Sequence, residues 1–383
     1  MNYKDTDLIF KIRKICRYLA LYGLSRTYIK VRGALHMHSS SSFNSSNEWV
    51  NPNCKLPSST KRNVAIVGCG NFSYSCICFY LKKINKNFLK YAYDIDKSKS
   101  FSLCKSYNGY CATTNFNKIL SDKKVTHVFI ASNHASHMDF ALQAIRSNKI
   151  VHIEKPHVVN YEQLYDFKST TSSIRSNVFL GFNRPRSPLF KKLCNKLIQE
   201  KGPLMINWFI AGHEIPDNHW YFDEKEGGRV LGNLCHWTDL TLHLVGLENA
   251  FPCVITSGSE ANSKSDFIVN ITFADHSCAT ISFSAKGHTF EGVRESLQVH
   301  KGDLLAHLQD FHILKWEKLH NNKIVKLLFR DHGHFNNIRN SYTSSSAENT
   351  SYIIATASFF LSIKESIENN KKITLSKEQA LLL

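Results

Sequence analysis

Three stretches of this sequence hold side chains whose types and spacing suit proton transfer, stabilisation of negative charge or phosphate binding. The first is Cys235-His236-Trp237-Thr238-Asp239-Leu240-Thr241-Leu242-His243. Asp239 and His243 stand four apart, so on a helix they share one face. An imidazole titrates near neutral pH and can take or give a hydroxyl proton, while a carboxylate orients it and favours its charged form. The second is Glu154-Lys155-Pro156, closing the apolar run that starts at Lys149. An ammonium beside a reacting oxygen stabilises developing alkoxide charge and lowers the pKa of neighbouring acids. The third is Gly68-Cys69-Gly70-Asn71-Phe72-Ser73, directly after Val64-Ala65-Ile66-Val67.

The glycine pattern suits a dinucleotide. The first glycine permits a tight turn and the second lets a pyrophosphate approach the backbone. The helix that follows offers free N–H groups and a partial positive charge to the phosphates. Ser73 stands where Gly or Ala is usual, and its small size still allows close helix–strand packing. A carboxylate near the end of the next strand completes the pattern. Asp94 lies 21 residues after Ser73 and closes Tyr91-Ala92-Tyr93-Asp94. It can accept both ribose hydroxyls of NAD and would repel the 2′-phosphate of NADP. NAD is therefore the expected cofactor, with NADP left open, and Asp96 is the neighbouring alternative to Asp94.

Positioning these groups requires particular elements. Strand signals at 63–68, 88–94, 126–132 and 149–154 alternate with helical patterns such as 137–148. That alternation predicts a parallel sheet covered on both faces. The texture changes beyond 158. Short strand-like runs recur at 204–211, 267–273, 278–284, 296–300, 311–316 and 323–329, with helices expected at 188–200, 231–245 and 352–369. Ala274-Asp275-His276-Ser277 joins two of these runs and reads as a hairpin. The second half is thus α+β on an open, mostly antiparallel sheet.

Further segments complete a recognisable set. They are Ala131-Ser132-Asn133-His134 with His137, Gly181-Phe182-Asn183-Arg184-Pro185-Arg186, and Gly227-Gly228-Arg229 leading into His236. With Glu154-Lys155-Pro156 and the Asp239/His243 helix, the chain resembles the glucose–fructose oxidoreductase/inositol dehydrogenase (Gfo/Idh/MocA) family over about residues 62–375. Residues 206–240 are similar to the C-terminal module of certain bi-domain oxidoreductases, although Asn233 replaces the Glu those relatives prefer.

The resemblance implies an α/β protein in three parts. A basic extension and linker (1–60) precedes a Rossmann NAD(P)-binding domain (61–180) and an α+β substrate-binding and dimerisation domain (181–383). It places Lys155 beside the nicotinamide and the reacting hydroxyl, and Glu154 against the nicotinamide ribose. Gly68, Gly70, Asn71, Phe72, Ser73, Asp94, Ser132 and His137 complete the cofactor site. Asn183, Arg184, Arg229 and His236 are the substrate-contact candidates, with Arg184 or Arg229 able to grip a carboxylate or phosphate. The implied activity interconverts a hydroxyl and a carbonyl on a sugar, polyol or nucleotide-sugar-like substrate, in a homo-oligomer built through the second sheet. The alternative is a non-enzymatic nucleotide-binding scaffold or sensor of the same fold. Taken singly the residues have plainer readings: Lys155 as a strand-end lysine, His236 and His243 as packed helix residues, Arg184 as the partner of a structural carboxylate.

Composition narrows the classes. The formal charge is +17, but residues 1–62 hold eleven basic residues against three acidic ones. No helix-turn-helix, zinc-finger or RNP-type motif accompanies that charge, so nucleic acid is not the expected partner. Residues 8–24 read as a basic amphipathic helix that could lie on an anionic membrane, or dock on the protein's own body or a partner. Residues 38–60, rich in Ser, Asn and Pro, read as a linker. The 19 histidines form no metal-ligand pattern and the 11 cysteines include no Cys-x-x-Cys pair. Reduced thiols and a cytoplasmic location are expected. No run approaches the ~20 apolar residues of a membrane span, and Lys11, Arg13, Lys14 and Arg17 interrupt any signal-peptide core.

Overall fold

A computed structural model describes residues 8–41, 48–54, 62–174, 176–258, 265–287 and 290–383. The chain divides into two units. The first comprises residues 28–181 and 334–350, and the second residues 1–27, 182–333 and 351–383. Two expectations are corrected here. The helix Leu8–Met37 runs past the expected end at 24 and is interrupted by a non-helical Gly23; its residues up to Thr27 fall in the second unit and those from Tyr28 in the first. Within the expected linker, residues 48–50 form an edge strand, while 42–47 and 55–60 lie outside the described residues.

The nucleotide unit holds seven strands: β1 (Glu48–Val50), β2 (Val64–Val67), β3 (Leu89–Tyr93), β4 (Cys111–Thr113), β5 (His127–Ile130), β6 (Ile150–Ile153) and β7 (Asn177–Leu180). Their order is β1-β4-β3-β2-β5-β6-β7. All pairs are parallel except β1 with β4. Every residue of β2 and β5 is buried, the pattern of central strands covered on both faces. Ile66, Ile77, Leu81, Phe88, Leu103 and Phe129 pack together in one apolar cluster. Each such side chain contributes about 1.5–3 kcal/mol by leaving water.

The second unit holds β8 (Met205–Ala211), β9 (Cys253–Gly258), β10 (Asp266–Thr272), β11 (Cys278–Ser284), β12 (Arg294–Lys301), β13 (Leu304–Gln309), β14 (Ile313–Lys318), β15 (Asn321–Lys326) and β16 (Ile373–Leu375). The order β15-β14-β13-β12-β8-β11-β10-β9-β16 contains one parallel pair, β8 with β11. β8 alternates exposed and buried residues, so one face of the sheet is covered and the other open. Trp208 on the covered face donates to Thr241 Oγ1 at 3.1 Å and ties the sheet to the helix Cys235–Val245. The expected hairpin joins β10 to β11, with Asp275 Oδ1 accepting from the Ser277 N–H at 2.9 Å across the turn.

Candidate active site

The glycine turn lies between β2 and a helix that opens with a π-turn at Ser73–Ile77 and continues as Cys78–Ile84. Gly68 has φ +83°, and a Cβ there would lie 2.5 Å from the Ala131 carbonyl and the Ser132 N–H. Only glycine fits that position. A Cβ on Gly70 would meet nothing within 4 Å. The backbone there is open to a close-approaching ligand, and the first N–H groups of a helix have no partner within it. These residues fit a dinucleotide pyrophosphate. Ser73 Oγ donates to the Gly68 carbonyl and closes the turn from inside, which is why serine serves at the third position.

Asp94 follows β3. Its Oδ2 accepts from the Cys69 N–H at 2.7 Å and its Oδ1 from the Asp96 N–H at 2.9 Å. Burial raises its pKa, opposed by those two N–H bonds. The carboxylate is thus fixed against the turn. Asp96 caps the next helix by accepting from Ser98 N–H at 2.8 Å, so it is committed locally. A residue outside the motif also holds the turn. The ring of His36 bonds the Cys69 carbonyl at 2.7 Å and Ser102 Oγ at 2.9 Å, and stacks on Tyr74 at 4.4 Å. A neutral ring serves both bonds, donating from Nε2 and accepting at Nδ1, consistent with burial lowering its pKa.

The other expected cofactor residues cluster at the C-terminal ends of β5 and β6. Ser132 Oγ lies 2.7 Å from Ser136 Oγ, and Phe72 is 39% exposed. His137 is corrected from cofactor contact to brace. It is 1% exposed, and its nitrogens face the carbonyls of Pro156 at 2.8 Å and Ser132 at 3.1 Å. Burial lowers its pKa, opposed by those two carbonyls. Glu154 is buried, and its Oε1 accepts from His152 Nε2 at 3.2 Å. Lys155 is half-buried beside it, ahead of a cis peptide bond to Pro156.

In the second unit, the helix Cys235–Val245 also follows a π-turn, Val230–Leu234. Such turns recur at functional sites. Asp239 is fully buried. Its Oδ1 accepts from Tyr352 O–H at 2.8 Å and from Thr356 Oγ1 at 3.2 Å. Burial pushes its pKa up to about 7 against those two bonds. His243 Nδ1 lies 3.1 Å from the Asp239 main-chain carbonyl and also bonds the Tyr352 oxygen. A carbonyl only accepts, so Nδ1 carries the proton, and in the neutral ring Nε2 holds the lone pair. The Tyr352 proton goes to the carboxylate while its oxygen accepts from Nδ1. The result is a relay, imidazole to phenol to carboxyl, in which Tyr352 and Thr356 were not foreseen. They lie more than 100 residues downstream, on the helix Thr350–Asn369, with no sequence signal linking them to Asp239.

The substrate-contact candidates separate. Arg184 is corrected to a structural role: Nε donates to Glu295 Oε2 at 2.8 Å, and the guanidinium lies 5.1 Å from the Trp237 ring. Burial would raise the Glu295 pKa, but Arg184 and His332 outweigh it and hold the carboxyl at about 2. Asn183 likewise donates to the His332 carbonyl at 2.7 Å. His236 is half-buried, edge-on to Phe182 at 6.0 Å. Arg229 instead lines a cavity of about 340 Å³ with His213, His219, Trp220, Tyr221 and Asn233. Among the described residues, no three His, Cys, Asp or Glu side chains form a metal site, and no helix is long and apolar enough to cross a membrane.

Residues 62–182 match a family model described as the Gfo/Idh/MocA oxidoreductase family, NAD-binding Rossmann fold. An uncharacterized oxidoreductase of Synechocystis is 26% identical over 157 residues, 39% of this chain and 42% of that protein. The chain spans roughly half the length of the curated relatives it matches. Among solved structures, GenD2 from gentamicin A biosynthesis, in complex with NAD, aligns with a TM-score of 0.69 at 16% identity, covering 84% of this chain and 99% of that one. A levoglucosan dehydrogenase in complex with NADH and levoglucosan aligns with a TM-score of 0.69 at 14% identity, covering 82% and 98%. At such identities the structural likeness establishes the fold.

Proposed function

We propose that this chain, whose residues 62–182 match the NAD-binding Rossmann model of the Gfo/Idh/MocA oxidoreductase family, is an NAD-dependent dehydrogenase or reductase of that family acting on a CH–OH group of a sugar-like substrate. The observation that carries this reading is the relay of His243, Tyr352 and Asp239. A pure scaffold has no physical need for a buried carboxyl with a pKa near 7 joined to an accessible imidazole. The likeness to a levoglucosan dehydrogenase supports a sugar over other alcohols.

When bound, the nicotinamide accepts or supplies the hydride. The turn at Gly68 and Gly70 would hold its pyrophosphate and Asp94 its ribose hydroxyls. His243 Nε2 takes the hydroxyl proton during oxidation, while Nδ1–H stays bonded to the Asp239 carbonyl and Tyr352. The Asp239 carboxyl offsets the imidazolium charge that results. Lys155 would stabilise developing negative charge on the substrate oxygen. A screen of sugars, polyols and nucleotide-sugars for change in nicotinamide absorbance tests the activity. His243→Ala should lose most turnover while retaining cofactor affinity; unchanged turnover would remove His243 from the mechanism.

Assembly fits the same reading. Phe209, Ser282 and Ile268 stand in one row across β8, β11 and β10, and Met205, His300 and Leu305 in another across β8, β12 and β13. Met205 and Phe209 are 61% and 59% exposed. A second copy of the chain is the partner that would cover this open face.

A further inference from the structure

We propose that the cavity at Arg229 binds an oxyanion, and that the substrate is a monosaccharide bearing a carboxylate. This rests on the oxidoreductase reading for the turnover, but not for the binding.

Arg229 is 4% exposed. Its guanidinium donates to the His213 carbonyl and, at 3.2 Å, to Asn233 Oδ1, while Nε has no partner. Both partners are neutral, and Arg229 makes no ion pair with a described residue. Burial lowers its pKa, and Tyr221 is the one group that opposes the shift. A guanidinium taken out of water without a counter-charge is costly. The same unit supplies a carboxylate where it buries Arg184, namely Glu295 at 2.8 Å. At Arg229 the helical position four residues on, where a Glu could pair, holds Asn233 instead. The missing negative charge is left for a ligand.

The surroundings define that ligand. Arg229 opens the helical segment that begins with the π-turn Val230–Leu234, whose N-terminal end also favours an anion. The planar fork of the guanidinium matches the two oxygens of a carboxylate. Trp220 and Tyr221 meet at 4.5 Å and 85°, giving flat apolar walls for the C–H faces of a sugar ring. A cavity of about 340 Å³ is at the small end of ligand sites, fit for one sugar ring rather than a nucleotide-sugar.

The test is calorimetric binding of D-glucuronate, D-glucose 6-phosphate and D-glucose, with and without NADH. It compares the wild-type protein with Arg229→Gln and Asn233→Glu. Glucuronate should bind at least about tenfold more tightly than glucose, as expected for a charge-assisted pair. Both substitutions should erase that preference, Asn233→Glu by supplying the counter-charge from within while leaving Arg229 in place. Equal binding of glucuronate and glucose by the wild type would overturn the site. So would a preference that survives in Asn233→Glu, a result that stands even if Arg229→Gln fails to fold. Tighter binding of the phosphate ester than of glucuronate would overturn the carboxylate assignment. Anion-selective binding with no rise in nicotinamide absorbance when NAD replaces NADH would support the site and count against the oxidoreductase reading.

Discussion

Replacing Asp239 by Asn should change how stability depends on pH. Asp239 is fully buried, and its carboxyl titrates at about 7 rather than at the ordinary 3.8. Because the folded-state pKa is raised, the stability this group contributes is complete below about pH 4. It is lost as pH rises toward 7, since only the unfolded chain ionises freely there. Integrating between those two pKa values gives a loss of about 3 kcal/mol from pH 4.5 to pH 8 for this group alone. Asn cannot ionise, and its Oδ1 can still accept from Tyr352 and Thr356. Urea unfolding of both proteins at pH 4.5, 6 and 8 measures the difference. The variant should gain on the wild type by roughly that 3 kcal/mol across the series, while losing turnover at every pH. Two stability curves that run parallel from pH 4.5 to 8 would show that Asp239 is ionised throughout, and would refute the reasoning.

Tyr352→Phe should lower kcat by about 10- to 100-fold with cofactor affinity unchanged, because the relay loses its middle member. Removing that donor also raises the Asp239 pKa further, so the acidic limb of the pH–rate profile should move to higher pH; an unmoved profile would separate Tyr352 from the chemistry. Asp94→Ala should weaken NAD by roughly tenfold or more and leave NADP little changed, as read by fluorescence titration; equal weakening of both would mean that Asp94 supports only the turn. The helix Leu8–Met37 exposes Leu8 (71%), Ile12 (51%), Ile15 (48%) and Leu19 (38%) at helical spacing, with Lys11 and Lys14 between them. Sedimentation with anionic vesicles should therefore retain the protein and Ile12→Glu should release it; no retention would point to a protein partner for this stripe.

The first sheet was legible because central parallel strands are buried on both faces and so read as continuous apolar runs, as in Val64–Val67. The second was legible by alternation, as in Met205–Ala211 and Cys278–Ser284. The short strands β1, β4 and β16 have three residues each, too few to show either period. The helix expected over 8–24 fell short of the one that forms. A glycine after an apolar-periodic stretch is a helix stop, but here the chain takes one non-helical residue and resumes its helix to Met37. That continuation delivers His36 to the Cys69 carbonyl, a contact no local pattern could announce.

Within the site, spacing revealed what a single helix can reveal. Asp239 and His243 share a face by periodicity alone. What sequence could not decide was which of two arginines is available to a ligand, because residue type is the same at Arg184 and Arg229. The decision is made by strand register. β12 pairs Glu295 with Ile210 of β8, which fixes where this carboxylate meets Arg184 Nε and Trp237 Nε1, each at 2.8 Å. Arg184 is thereby neutralised inside the fold, and removing one partner of such a pair should cost stability rather than substrate affinity. Arg229 has a neutral amide and a carbonyl in place of that carboxylate. Two chemically identical side chains thus differ in function because one meets its counter-charge within the chain and the other does not, and only the second can discriminate among ligands by charge.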